Sequence, residues 1–200
     1  MTLLDVTQHA PPQALPLVIA ITGASGAIYG VELLKAVKAA GVSVHLVITD
    51  SAIRTLTIET DLTVDAVTGL ADVTHSNRNI GAAIASGSFP VRGMAVAPCS
   101  IKTLSAIANC FADSLVARAA DVTLKERRTL VLMVRETPLH KGHLELMTRA
   151  ADYGALLLPP MPAFYHRPAT VLDIVHQTVG KMLDQFSIPH NLYRRWTGQP

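Results

Sequence analysis

Small residues and hydroxyls stand where this chain could hold an anion. Gly23, Ala24, Ser25 and Gly26 follow an apolar run, and Ile28, Val31, Leu33, Leu34, Ala36 and Val37 then take up helical spacing. A strand, a glycine turn and a helix start offer a ligand free N–H groups and the positive end of a dipole. The spacing from Gly23 to Gly30 is G-x-x-G-x-x-x-G. It is neither the dinucleotide G-x-G-x-x-G nor a P-loop, since no Gly-Lys-Ser/Thr follows. Two readings stand: a turn against a phosphate-bearing ligand, or glycines that let strand and helix pack closely.

The other apolar runs end in related chemistry. Thr49, Asp50 and Ser51 follow one; Pro98, Cys99, Ser100 and Thr103 another; Arg135 and Glu136 a third; and 159–166, with Tyr165 and His166, a fourth. Hydroxyls, an arginine, a carboxylate and a tyrosine suit a phosphorylated organic ligand. Ser100-x-x-Thr103 opens a helix, as a second phosphate cradle or as an ordinary N-cap. Arg135 and Glu136, directly after a buried strand, need a partner or a ligand. Arg118, Lys125, Arg127 and Arg128 form a basic run with Glu126, either a solvated helix face or a source of one or two phosphate contacts. His140, His143, His166 and His176 lack metal-motif spacing and are assigned structural or surface roles. Cys99 has no identifiable base and reads as a buried small residue. Trp196 in a polar tail packs on its own domain or covers a site or a neighbour.

The elements that position these residues are five apolar runs, 17–22, 42–49, 93–97, 129–134 and 155–158. Most are continuously apolar, as in parallel strands covered on both faces. Helical segments between them give a βαβα rhythm. The expected fold is α/β: one doubly wound, Rossmann- or flavodoxin-like domain with a mostly parallel sheet of five to six strands. Ligands bind such sheets beyond the carboxyl ends of the strands. Residues 64–90 are the least regular and read as loop, with Asp72, Ser76, Asn77, Arg78 and Asn79 in one turn region and Ser86 to Ser88 in another. A last helix over 170–186 places Val171, Ile174, Val175, Val179, Met182 and Leu183 on one face, with Pro189 ending it. Residues 1–16, with Pro11, Pro12 and Pro16, read as a flexible tail and 17–200 as the domain.

Composition narrows the classes. The chain has 200 residues, 50% of them hydrophobic and 16% charged. That excess of apolar surface favours a homo-oligomer. A net charge of +2 argues against nucleic-acid binding as the main task. Two cysteines without a CxxC pair suit a reducing cytoplasm. No run has membrane-spanning length, and 1–16 is not a signal peptide.

The motifs in order carry a resemblance. They are Thr22-Gly-Ala-Ser-Gly-Ala-Ile-Tyr-Gly30, Glu59-Thr-Asp61, Ala85-Ser-Gly-Ser-Phe89, Pro98-Cys-Ser-Ile-Lys-Thr-Leu-Ser105 and Arg118-Ala-Ala-Asp-Val122. Leu124-Lys-Glu-Arg-Arg128, Val134-Arg-Glu-Thr-Pro138, Pro162-Ala-Phe-Tyr-His166 and Arg195-Trp196 complete the set. Together, from Leu17 to Trp196, the chain resembles the UbiX-like flavin prenyltransferases. The resemblance implies metal-independent transfer of a dimethylallyl group from dimethylallyl phosphate to N5 and then C6 of reduced FMN. The prenylated FMN would pass to a UbiD-type decarboxylase in ubiquinone synthesis or aromatic-acid breakdown. It also implies a dodecamer with sites at subunit junctions.

Carried over by motif, Gly23, Ala24, Ser25, Thr49, Ser100, Ile101, Lys102, Thr103 and Arg135 would hold FMN. Ser25, Glu59 and Glu136 would be catalytic, and Arg118, Lys125, Tyr165 and Lys181 would grip the donor phosphate, with Trp196 as a cover. The Gly-Ala-Ser turn then becomes the wall beside the reactive flavin edge. Lys181 stands where the family often has Arg, Thr49 where it often has Ser, and Ile80 where some members have an aromatic residue. An FMN-dependent cysteine decarboxylase and an FMN-carrying decarboxylase subunit without its own activity are the alternatives.

Overall fold

Alternate residues of the first apolar run feed opposite sides of one sheet. The computed structural model describes residues 15–198. In β1 (Leu17–Ile21), Leu17, Ile19 and Ile21 join one core, and Val18 and Ala20 join the other. A strand buried on both faces must be apolar at every position, which is why the run does not alternate.

The chain continues as α1 (Ala27–Ala39), β2 (Val44–Ile48), α2 (Asp50–Glu59), α3 (Val64–Thr68), β3 (Val73–Ser76) and β4 (Gly93–Cys99). It ends with α4 (Ile101–Ala108), α5 (Leu115–Lys125), β5 (Thr129–Val134), α6 (Lys141–Asp152), β6 (Leu156–Leu157) and α7 (Val171–Gln185). The strand order is β3-β2-β1-β4-β5-β6, and every pairing is parallel. Helices α1 and α7 supply the core on one face, and α4 and α5 on the other. The order reverses between β1 and β4, and this switch point opens a crevice beyond their carboxyl ends.

Six parallel strands match the expected doubly wound sheet. The segment 64–90 does not match the expected loop: it holds α3 and β3. Ser76, read as a turn residue, ends β3. This edge strand has only four residues, mostly exposed, so no apolar run announces it. The run 155–158 keeps only Leu156 and Leu157 as strand. Helix α7 stops at Gln185, before Pro189, and Ser187 at φ 52° turns the chain back. Val171 is 79% exposed and leaves the expected apolar face, while Val175, Val179, Met182 and Leu183 are buried. The expected tail, 1–16, lies outside the described residues as far as 14, whereas the Pro16 carbonyl accepts a hydrogen bond from the Arg92 amide. Among the described residues no helix is long and apolar enough to cross a membrane.

Candidate functional site

The crevice is set by Thr22, at the end of β1. Its hydroxyl donates to the Pro98 carbonyl at 2.8 Å and accepts from the Ser100 amide at 2.8 Å. The buried hydroxyl thus fixes the start of α4 against the glycine turn.

The anion at that turn is the protein's own. Glu59 ends α2, and its Oε2 accepts from the amides of Gly26 at 2.8 Å and Ala27 at 2.9 Å. This satisfies the N-terminus of α1, which has no side-chain cap from its own N-cap residue, Gly26, at φ 99°. Of the two readings of this turn, the phosphate one meets a carboxylate already on the Gly26 and Ala27 amides. Gly30 carries the packing reading instead, since a Cβ there would strike the Ala97 carbonyl of β4. Gly23 likewise leaves room for Ser51. Partial burial raises the Glu59 carboxyl, but bonds from Ser25 and the two amides, with the nearby Arg135 charge, outweigh it and hold it below the usual range. Ser25 and Glu59 thus meet, with the Arg135 charge near enough to act on them. It acts on Tyr29 too: burial raises its phenol against the pull of Arg135.

A cleft of about 300 Å³ lies at the start of α2, whose Ser51 packs against Gly23 of the turn. Three helices begin on it, each capped by a hydroxyl. Thr49 accepts from the Ala52 amide in α2, Ser100 from Thr103 in α4, and Ser114 from Ala117 in α5. The first-turn amides left uncapped in α2 and α4 suit a phosphate monoester, whereas those of α5 are taken by Asn77 and Ser114. Arg54 and Lys102 add positive charge and Ser51 and Thr103 hydroxyls, while Asp50 and Asp113 also line it. Expected residues Thr49, Ser100, Lys102 and Thr103 are brought together here; Ile101 is half-buried beside them and Ala24 is nearly buried. The hydroxyls of the cleft and the uncapped amides of α2 and α4 fit the phosphate of FMN.

A second cleft, of about 410 Å³, lies past β5 and β6. Arg135, Glu136, Leu139, Pro159 and Met161 are among its walls. Glu136 is exposed and accepts from the Thr137 amide at 2.9 Å. Cys99 is fully buried, and burial pushes its thiol up to about 12, so it is no nucleophile at neutral pH. Of the histidines, His176 bonds Glu32, and His140 caps α6 and stacks on His143, while both ring nitrogens of His166 are buried without a hydrogen-bond partner and its ring lies edge-on to Tyr165.

The expected donor-phosphate residues do not reach these clefts within one chain. Arg118 pairs with Asp121 at 2.8 Å and Lys125 with Glu126 at 2.8 Å. Lys125 ends α5 just before β5, whose six residues put it about 20 Å from Arg135. Lys181 lies on α7 between His176, which meets Glu32 of α1, and Phe186, whose carbonyl meets Arg92 at the foot of β4. Tyr165 is half-exposed against Trp196, edge to face with centroids 6.0 Å apart. Ser51 stood among the strand-end hydroxyls without an assigned role, and Asn77 and Ser114 were missed as cleft residues in the sequence. Ser114 had a signal, a hydroxyl just before Leu115-Val116-Ala117. Asn77 had none, because it follows the unannounced β3; its carbonyl and side chain accept from the Leu115 and Val116 amides.

Comparison with known proteins agrees with this geometry. A family model described as Flavoprotein matches residues 6–185. Flavin prenyltransferase UbiX of Thauera aromatica is 58% identical over 182 residues, 91% of this chain and 94% of that protein. Flavin prenyltransferase UbiX of Escherichia coli K12 is 56% identical over 185 residues, 91% of this chain and 98% of that protein. The crystal structure of AnUbiX (PadA1) in complex with FMN and dimethylallyl pyrophosphate superposes with a TM-score of 0.92 at 44% identity, covering 94% of this chain and 100% of that one. A dodecameric FMN-dependent UbiX-like decarboxylase from E. coli O157:H7 gives 0.89 at 48%, covering 92% and 100%. The FMN-dependent cysteine decarboxylase TvaF shares only the fold, at 16% identity and a TM-score of 0.60, over 83% of this chain and 98% of that one. With the model spanning most of its length and relatives above half identity, the chain belongs to the flavoprotein family, among the UbiX-like flavin prenyltransferases.

Proposed function

We propose that this protein transfers a dimethylallyl group from dimethylallyl phosphate to N5 and C6 of reduced FMN. The observation that carries the reading is a cleft at three capped helix N-termini, linked through Ser51 against Gly23 to the turn whose Ser25 and amides bond Glu59. FMN, when bound reduced, supplies the nucleophilic positions. Ser100, Ile101, Lys102 and Thr103, with Thr49, Ser51 and Ser114, hold its phosphate. Gly23, Ala24 and Ser25 wall the reacting edge, and Arg135 reaches the cofactor from β5.

Cleaving an allylic C–O bond leaves an inorganic phosphate and a carbocation. Arg118, Lys125, Tyr165 and Lys181 stabilise the departing anion. Lys181 keeps the charge of the family's arginine but not its two-pronged bonding. Glu136 shapes the surroundings of the leaving group, and the apolar walls Leu139 and Met161 suit a five-carbon chain. Glu59 is an anion at neutral pH, so it assists the released phosphate in accepting the proton lost from C6 and does not serve as an acid.

Because Lys125 and Lys181 lie away from the chain's own clefts, we assign them to the site of another copy, with sites at junctions of a dodecamer like that of the E. coli relative. The product passes to a UbiD-type decarboxylase. Free cysteines at 99 and 110 support a cytoplasmic setting.

The test is anaerobic incubation with FMN, a reductant and dimethylallyl phosphate. A dimethylallyl mass gain on the flavin supports transfer. Flavin retained without modification sinks it in favour of a carrier subunit.

A further inference from the structure

The C-terminal segment is fastened to α7 by one carboxylate. Asp184 receives the Arg195 guanidinium on both oxygens, Nη1 on Oδ2 at 3.1 Å and Nη2 on Oδ1 at 2.7 Å. The Tyr193 hydroxyl donates to Oδ2 at 3.0 Å, and His190 Nε2 lies 3.1 Å from Oδ1. A carboxylate offers about four lone-pair sites, so Asp184 is saturated and has no capacity left for a ligand. Partial burial pushes its carboxyl up, but the bonds from Arg195, Tyr193 and His190 outweigh this and hold it down at about 2. The fork from Arg195 is the strong, orientation-fixing kind of ion pair.

The seat under the segment is built for it. Gly180 sits inside α7, where glycine costs about 1 kcal/mol relative to alanine. A Cβ there would stand 2.5 Å from the Tyr193 ring and 2.6 Å from His190. The missing side chain lets both rings lie on the helix. Ser187 turns the chain back at φ 52°, and Ile188 is buried while Leu192 packs on the same core. Arg195 also stacks over Tyr193 at 5.5 Å. Trp196 follows directly and meets Tyr165 edge-on.

We propose that Asp184 is a positioning residue for prenyl transfer: through Arg195 and Tyr193 it holds Trp196 against Tyr165, fixing the aromatic pair that closes the donor side of the site. This rests on the reading that Tyr165 and Trp196 face dimethylallyl phosphate. A Trp indole otherwise 60% exposed would sample many rotamers. Latching its neighbour Arg195 removes that freedom before the donor binds, which appears as donor affinity.

Trp196 is the sole tryptophan, so its fluorescence reports the latch directly. In Asp184→Asn the amide nitrogen is a donor facing donors, and the charge is gone. Acrylamide quenching of Trp196 should rise, its anisotropy should fall, and KM for dimethylallyl phosphate should rise about tenfold, the loss of one charged hydrogen bond. The change in kcat and in FMN content should stay within about twofold, less than half a kcal/mol. Asp184→Glu keeps a carboxylate and should recover part of the KM. Arg195→Gln removes the fork from outside α7, so it gives the same readout should Asp184→Asn fail to fold.

Unchanged Trp196 quenching in both variants overturns the latch. A freed Trp196 with unchanged KM overturns the positioning role, provided Tyr165→Phe raises KM. If Tyr165→Phe and Trp196→Leu also leave KM unchanged, the failure lies in the donor-side reading itself.

Discussion

Replacing Glu59 by Gln separates a helix cap from a catalytic group. Both amide bonds, from Gly26 and Ala27, use Oε2 alone. Glutamine can keep its single oxygen on those amides. Its NH₂ then takes the other position, which turns from acceptor to donor. The structural loss is the carboxylate charge at the positive end of α1, about 1 kcal/mol. For a domain of this size that lowers Tm by about 2–4 °C. The chemical loss is larger, because the group assisting the released phosphate can no longer take a proton: product formation should fall about 10²-fold or more.

The two effects also differ in pH dependence. The folded carboxyl is lowered, so its stabilisation is fully present above the unfolded value, about 4.3, and is lost as pH falls through the folded one. The Tm gap between native protein and variant should therefore be present at pH 7 and close in acid. Thermal melts across pH, FMN retention and anaerobic turnover at saturating donor measure all three. A fall in turnover of no more than about twofold, beside the expected Tm shift, would refute the catalytic role and leave Glu59 a cap.

Ala24→Val should abolish FMN retention on gel filtration with an unchanged far-UV spectrum, since Ala24 is 9% exposed beside the turn and added methyls would fill the ring's space. Ser114→Ala removes a capping hydroxyl at the first cleft; FMN affinity should drop about tenfold by fluorescence titration, with a stability loss of about 1 kcal/mol. Ser25→Ala and Lys125→Met should each be inactive alone, and co-assembled subunits should regain turnover because one copy supplies the flavin half and another the donor half. With native folding, iodoacetamide at pH 8 should label Cys110 and spare buried Cys99, whose thiol lies near 12, as peptide mass mapping would show.

The sheet was legible because strands buried on both faces must be apolar throughout, as β1, β4 and β5 are. Strand β3 was not, because an edge strand with exposed Val73 and Thr74 has no such constraint. The cap at Ser100 was legible, since a hydroxyl at a strand end before a helix points to an N-cap. The fate of the Gly23 turn was not. Local spacing shows that a helix N-terminus needs an anion. It does not show that Glu59, at the end of another helix, folds back to be that anion. The same limit hid the pull of the Arg135 charge on Tyr29, an influence across two elements.

The placement of charge in this fold explains the composition. In a doubly wound sheet every following helix starts at the carboxyl rim and runs back toward the opposite edge. Helix starts, with their dipoles and capping hydroxyls, therefore gather at the cleft, and helix ends, where lysines are favoured by the dipole, gather far from it. Lys125 closing α5 follows this rule. The proposed reaction, releasing a phosphate beside a second phosphate, would use both kinds of group at once: helix starts for the cofactor and side-chain cations for the leaving group. One chain cannot bring its own Lys125 across a sheet about 20 Å long. A neighbouring copy can, if the surfaces between copies are apolar enough to hold. Met161, Phe164 and Val171, all about 70–80% exposed around the 159–171 stretch that carries Tyr165, are the surface such a copy would cover. On the proposed reading, the half of the residues that are hydrophobic would build two kinds of interior, the chain's own core and a junction with a neighbouring copy.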